Sequence, residues 1–374
     1  MAPENQAMNE ELKQYVLLNP GPACTTPTVR QALLTPDLCH REPEFFQVMR
    51  WVRDEIADLA GGAGEWSTVI FSGSGTAAVE AAVISAVPAD RKLLVIDNGV
   101  YGDRIRQMAA CSGIAHHVLH YNWTEAPRPE DVDRAFAEEP SLSHLAVVHH
   151  ETTTGLLNPI EALAAVCKKH GRSIIVDAMS SFAGEPINVR EMGIDYLISS
   201  SNKCLQGMAG LSFVVARRTA LEGLVSVPLR SVYLNLYNQW KAEEGDNTPF
   251  TPAIQVFFAL RQAIIETRQE GLENRFRRYR EAAAALREGM EALGLQIIVA
   301  PEWRSNTLTT FRLPDGVGYD ALHDAMKRRG YVIYAGQGDL KTWAFRIANL
   351  GTLTADDLRQ VVAAVRDSIE ELRS

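Results

Sequence analysis

From about residue 66 to 215 the chain alternates short apolar runs with longer amphipathic stretches. The runs are STVIF (67–71), KLLVID (92–97), HLAVVHH (144–150), SIIVD (173–177), YLISSS (196–201) and LSFVVA (211–216). Each is short, rich in β-branched residues or leucine, and most are apolar throughout. That pattern predicts strands of a mainly parallel sheet buried on both faces. The segments between them, such as TAAVEAAVISAV (76–87) and PIEALAAVCKKHG (159–171), repeat apolar residues at helical spacing and end near Gly or Pro. Strand and helix in alternation predict a doubly wound α/β fold.

Past residue 270 the pattern changes. NRFRRYREAAAALREGMEALG (274–294) reads as a long amphipathic helix. LQIIVA (295–300), TLTTFRL (307–313), a helix YDALHDAMKRRG (319–330), YVIYAG (331–336), TWAFRIAN (342–349) and a closing helix TADDLRQVVAAVRDSIEELR (354–373) follow. This predicts an N-terminal segment (1–25), a large α/β domain (26–265) and a small C-terminal α+β domain (266–374).

Composition narrows the functional classes. The 374 residues are 46% hydrophobic and 22% charged, with net charge -9, which argues against general binding to nucleic acid or anionic membranes. A small anionic substrate remains open, because a few arginines make a local positive field. The five cysteines lack metal-type spacing and their odd number points to reduced thiols, so a cytoplasmic protein is expected. MAPENQAMNEELKQY is too polar for a signal peptide, and no apolar run reaches the ~20 residues of a membrane helix.

The most informative stretch is IDYLISSSNKCLQGMAG (194–210), which puts Lys203 just past a buried strand. Most lysines are solvated surface residues. One at the carboxyl end of a strand lies where open α/β sheets bind ligands, and partial burial there makes it a nucleophile toward carbonyl carbon. Asp177 closes another apolar run 26 residues earlier. It is either a turn or cap residue or a carboxylate paired with the protonated ring nitrogen of a flat aromatic cofactor. FSGSGTAAVEAA (71–82) is a strand, a Gly/Ser turn and a helix, an arrangement able to hold phosphate on backbone N–H groups. It is no dinucleotide fingerprint, since Ala78 stands where the third glycine belongs.

Tyr101, in DNGVYGDR (97–104), is a ring-stacking candidate or a turn aromatic over the core. Thr152 and Thr153, in HHETTTGLLNP (149–159), are hydrogen-bonding candidates or ordinary turn residues. The pairs His149–His150 and His116–His117 would point to opposite strand faces, so they read as structural and no metal site is expected.

In this order and spacing, VIFSGSGTAAVEA, DNGVYGDR, HHETTTGLLNPI, VDAMSSFAG, DYLISSSNKCLQG and FRIANLG resemble the class V aminotransferases of PLP fold type I. The resemblance runs from LLNPGP (17–22) to about residue 351, and DAMSSF with SSSNKCLQG is most like the branch acting on aminophosphonates. It implies a seven-stranded, mainly parallel sheet and pyridoxal 5'-phosphate as cofactor, with small amine and keto-acid substrates in a homodimer. Lys203 would bind the cofactor covalently and then shuttle protons, and Asp177 would pair with the ring nitrogen. Tyr101 would stack on the ring and Thr152 contact its oxygen. Ser74, Gly75 and Thr76 would hold the phosphate, Asn202 would add to the cofactor site, and Thr251, in PFTP (249–252), would reach the partner's phosphate. Arg346 would clamp a carboxylate; without the resemblance it reads as a strand arginine paired with an acid. The expected reaction moves an amino group from 2-aminoethylphosphonate to pyruvate.

One departure from the pattern is LCHREPEF (38–45), where the aminophosphonate branch carries an acidic segment. His40–Arg41 is more like the alanine–glyoxylate group and would bring Arg41 to the substrate. Two alternatives therefore stand beside the leading expectation: a transaminase of alanine–glyoxylate or serine–pyruvate type, and a lyase that releases ammonia from a hydroxylated aminophosphonate.

Overall fold

The structure, a computed structural model, describes residues 13–374. Its central sheet has seven strands: β1 Trp66–Ser72, β2 Lys92–Asp97, β3 His116–His120, β4 Leu142–Val148, β5 Ser173–Asp177, β6 Tyr196–Ser200 and β7 Leu211–Arg217. They lie in the order β1-β7-β6-β5-β4-β2-β3. β7 is antiparallel to both neighbours and every other pair is parallel. The apolar runs are continuous because successive side chains enter two different cores. Ile70, Leu94, Leu145, Val147 and Val176 fill one face; Val69, Val95, Ala146, Val148 and Ile175 fill the other.

β3 is absent from the six apolar runs for a physical reason. It is an edge strand, pairs only with β2, and leaves every residue at least partly exposed, so its sequence HHVLH stays polar. The opposite edge, β1, is covered by helix α1 (Pro43–Leu59), which buries Phe45, Met49, Val52, Ile56 and Leu59 at helical spacing.

Helix α2 (Gly75–Ala86) follows β1, and helix α3 (Val100–Cys111) follows β2. In the C-terminal region an antiparallel sheet of β8 (Leu308–Arg312), β9 (Tyr334–Ala335) and β10 (Ala344–Ala348) is ordered β8-β10-β9. Helices α4 (Leu272–Ala292) and α5 (Ala355–Arg373) pack together there, over a core including Leu286, Met290, Phe311, Phe345, Leu358 and Val365. The run 295–300 is no regular strand. It follows β8 through Arg312 N–H to Gln296 O and Ile298 N–H to Thr310 O until Pro301 opens a helical turn. Residues Val16–Leu17 pair in parallel with Tyr331–Val332, so the N-terminal segment is stitched to this region before it crosses to the large sheet.

Candidate active site

The carboxyl ends of β5 and β6 open into a cleft of about 240 Å3. Ser74, Gly75, Thr76, Tyr101, Asp177, Asn202 and Lys203 all line it, although up to 129 residues separate them in sequence (203 - 74 = 129). Neighbouring strands explain the meeting of Asp177 and Lys203: β5 and β6 run parallel in adjacent positions, so both chains leave the sheet at the same edge.

Lys203 sits in a tight turn after β6. Gln206 closes that turn, donating its N–H to Lys203 O (2.9 Å) at a left-handed φ of 62°. The Gln206 side chain is pinned in turn by Tyr279 Oη (3.1 Å) and Gly351 O (2.9 Å). This bracing holds a conformation that a non-glycine residue rarely adopts. The Lys203 amine donates to Pro20 O, and burial lowers its pKa. Position 21 favours glycine because its φ of 113° strains any L side chain, and a Cβ there would also displace the end of the Lys203 side chain.

Asp177 is 5% exposed, and its Oδ1 accepts the N–H of Met179 at 2.9 Å. Burial pushes the carboxyl up to about 6, while the Met179 N–H and the charges of Arg104 and Lys203 pull against that rise. At the other functional segment, α2 begins at Gly75, and its N-cap Ser74 makes no side-chain capping bond. The first N–H groups of α2 and the Ser74 and Thr76 hydroxyls are thus available to an anion in the cleft.

Arg346, in the middle of β10, is 3% exposed. Its Nε donates to Ala335 O (2.8 Å), and its Nη1 donates to Thr152 O (2.8 Å) and Gln337 Oε1 (3.2 Å). All of these acceptors are neutral, and Nη2 has no hydrogen-bond partner among the described residues. A guanidinium this buried normally has a carboxylate beside it. The acid-paired strand arginine considered from sequence is therefore not what the fold contains.

Three other expected residues do not line this cleft. Thr152 is buried, and its backbone oxygen, as acceptor for Arg346, is its contact here. Arg41 is exposed and donates to Asn247 Oδ1 at 2.9 Å, outside its own chain's cleft. Thr251 is exposed beside Tyr233 and Phe250, also outside it. His149 and His150 are buried; desolvation lowers them to about 3 and about 4, and His149 bonds Ser181 Oγ at 3.0 Å. Sequence reasoning passed over Arg104 and Met179, both lining the cleft. Arg104 stands one helical turn after Tyr101, with its guanidinium 4.8 Å from the ring centroid, so the DNGVYGDR spacing held that signal.

A strand-end lysine, a buried acid and an open helix start in one cleft are the fittings of a pyridoxal-phosphate enzyme, and the residues present suit that cofactor's aldehyde, ring nitrogen and phosphate. Residues 31–347 match the model of the family described as Aminotransferase class-V, and the chain belongs to this family of PLP-dependent transaminases. It is 40% identical over 362 residues to a 2-aminoethylphosphonate–pyruvate transaminase of Vibrio vulnificus, covering 95% of this chain and 98% of that protein. The fold is similar to that of an alanine–glyoxylate aminotransferase from Nostoc, with TM-score 0.91, 28% identity and coverage of 99% and 100%. It is also similar to an aspartate aminotransferase of subgroup IV from Thermus thermophilus, with TM-score 0.87, 31% identity and coverage of 95% and 99%.

Proposed function

We propose that the protein transfers the amino group of 2-aminoethylphosphonate to pyruvate, giving phosphonoacetaldehyde and alanine, or runs the same exchange in reverse. The observation that carries this reading is Arg346. A buried guanidinium bonded only to neutral acceptors, with one nitrogen unpaired among the described residues, calls for an anionic substrate to complete its charge. The name of the Vibrio vulnificus relative supplies the aminophosphonate and the keto acid.

The bound cofactor supplies a carbonyl that takes the amine and a ring that accepts electrons. Lys203 holds it covalently and, once released, moves a proton at the substrate carbon; a lowered pKa favours the neutral amine this needs. Asp177 keeps the ring nitrogen protonated, and Tyr101 covers the ring face. Thr152 serves the ring oxygen and Asn202 the rim of the cofactor site, while Ser74, Gly75 and Thr76 hold the phosphate. Thr251 reaches the phosphate site of a second copy in a homodimer. Tyr233 and Phe250 are large aromatic residues left exposed beside Thr251, which favours the dimer. Five unpaired cysteines favour a cytoplasmic setting. No helix among the described residues is long and apolar enough to cross a membrane.

The elimination of ammonia from a hydroxylated analogue finds no support in these relatives. Such a substrate would also leave Arg346 without a carboxylate. The test is to follow the visible band of the purified protein while 2-aminoethylphosphonate and then pyruvate are added. Bleaching by the first and recovery with the second is expected, and Arg346→Ala should cut kcat/KM for pyruvate by about 30-fold or more. Bleaching by alanine or serine alone would replace the phosphonate reading with the alanine–glyoxylate type.

A further inference from the structure

We propose that Glu151 is a positioning residue of the active site: with Thr153 it clamps the start of α3 to the turn at 151–154, fixing Tyr101 against Thr152 and Arg346. The inference rests on the roles given above to those three residues.

Glu151 is fully buried, and its partners are uncharged. Its Oε1 accepts the Thr153 hydroxyl (2.6 Å) and the Thr153 N–H (3.2 Å); its Oε2 accepts the N–H of Gly102 (3.2 Å). The Thr153 oxygen in turn accepts the N–H of Val100 at 3.0 Å. The two anchored amides, Val100 and Gly102, flank Tyr101. The two anchoring residues, 151 and 153, flank Thr152, whose carbonyl takes Arg346 Nη1. One closed set of hydrogen bonds therefore brackets both the ring-covering residue and the residue that orients the substrate arginine.

The bare backbone of Gly99 makes the approach possible, because a Cβ there would collide with the Glu151 carboxyl group. The length of the side chain matters too, since it must span from its own turn to α3. A buried carboxylate is costly, and the N-terminal end of a helix with three donors is a setting that sustains one. Burial nevertheless pushes it up to about 7, against the pull of those donors. A plain structural acid here would be exchangeable for an uncharged isostere with little functional consequence; a clamp loses an acceptor.

The test uses Glu151→Gln, Thr153→Val and Thr153→Ser in the full chain, with and without cofactor. In the cofactor-free protein, amide exchange at Val100 and Gly102 should quicken in Glu151→Gln and Thr153→Val and stay slow in Thr153→Ser. In the loaded protein the first two should keep the visible band and change its circular dichroism. Their kcat should fall on the order of 10- to 100-fold with little change in KM, the scale of small misplacements near reacting groups. Thr153→Ser should behave as wild type. Unchanged exchange, dichroism and kcat in Glu151→Gln and Thr153→Val overturn the proposal, as does a lower melting temperature with dichroism and kcat intact. If Glu151→Gln does not fold, Thr153→Val against Thr153→Ser decides. A wild type that takes no cofactor defeats the proposed function alone, and the exchange measurement then judges the clamp.

Discussion

Asp177 occupies a place where a carboxylate is expensive, and that expense has a measurable sign. Its folded pKa, about 6, lies above the ordinary 3.8 because burial disfavours the charge. An acid raised in the folded state is protonated in both states below about pH 4 and ionised in both above about pH 6. The Asp177 contribution to the stability of the cofactor-free protein therefore falls as pH rises between those values and is not regained above them. Asp177→Asn should relieve this, raising stability at pH 8 on the order of 2–3 kcal/mol while leaving pH 4 unchanged. Thermal melts of both cofactor-free proteins at the two pH values check it, and a wild type as stable as Asp177→Asn at pH 8, or more so, would contradict it. In the role proposed for Asp177 the same substitution should also depress kcat, because a neutral side chain would not hold the ring nitrogen protonated. Function here opposes stability, as expected where a charge must be kept ready for a ligand.

Elements place these residues by their ends. β5 ends on Asp177, β6 stops three residues before Lys203, α2 starts where the phosphate is proposed to sit, and Tyr101 lies in the first turn of α3. A helix end elsewhere shows the same physics without function. At α5, Thr354 accepts the Asp357 N–H while Asp357 accepts the Thr354 N–H, a complete capping box. Thr354→Ala should cost about 1 kcal/mol. It should lower the melting temperature by about 2 °C and leave kcat and KM untouched, because α5 lies away from the cleft. A drop in kcat would show the C-terminal region to be coupled to the chemistry more tightly than its contacts indicate.

At the scale of the molecule, a buried polar seam fixes the C-terminal region to the large sheet. His150 hydrogen-bonds Ser305 Oγ (2.7 Å) and Thr307 Oγ1 (3.0 Å), and Glu185 accepts both the backbone and side-chain N–H groups of Asn306. Arg346 to Thr152 O belongs to the same seam, so the arginine proposed to hold the substrate is tied to the turn at 151–154 although it is carried on β10. Glu185→Ala strands both Asn306 donors and should cost about 1–3 kcal/mol. Urea unfolding should show the lower midpoint, with Glu185→Gln, which keeps one of the two acceptor oxygens, recovering only part of the loss; equal midpoints for Glu185→Ala and wild type would deny the seam any energetic weight.

The sequence by itself determined what repeats locally. Six of seven sheet strands show as apolar runs because both faces are buried, and β3 does not because an edge needs no such run. Lys203, Asp177 and the 73–76 turn were legible because each lies at or just past the end of a strand, so strand position alone told which way they emerge. Arg346 was legible as a residue but not in its environment: FRIAN looks the same whether the arginine faces an acid or only neutral acceptors. Glu151 and the Pro20 carbonyl stayed hidden for the same reason. Their partners, at 100–102 and 203, are brought to them by the order of strands across the sheet and by the N-terminal segment crossing from Tyr331–Val332 to the cleft. Periodicity records which face of an element is buried; only the tertiary structure decides what meets it there, because those contacts join groups that have no fixed spacing along the chain.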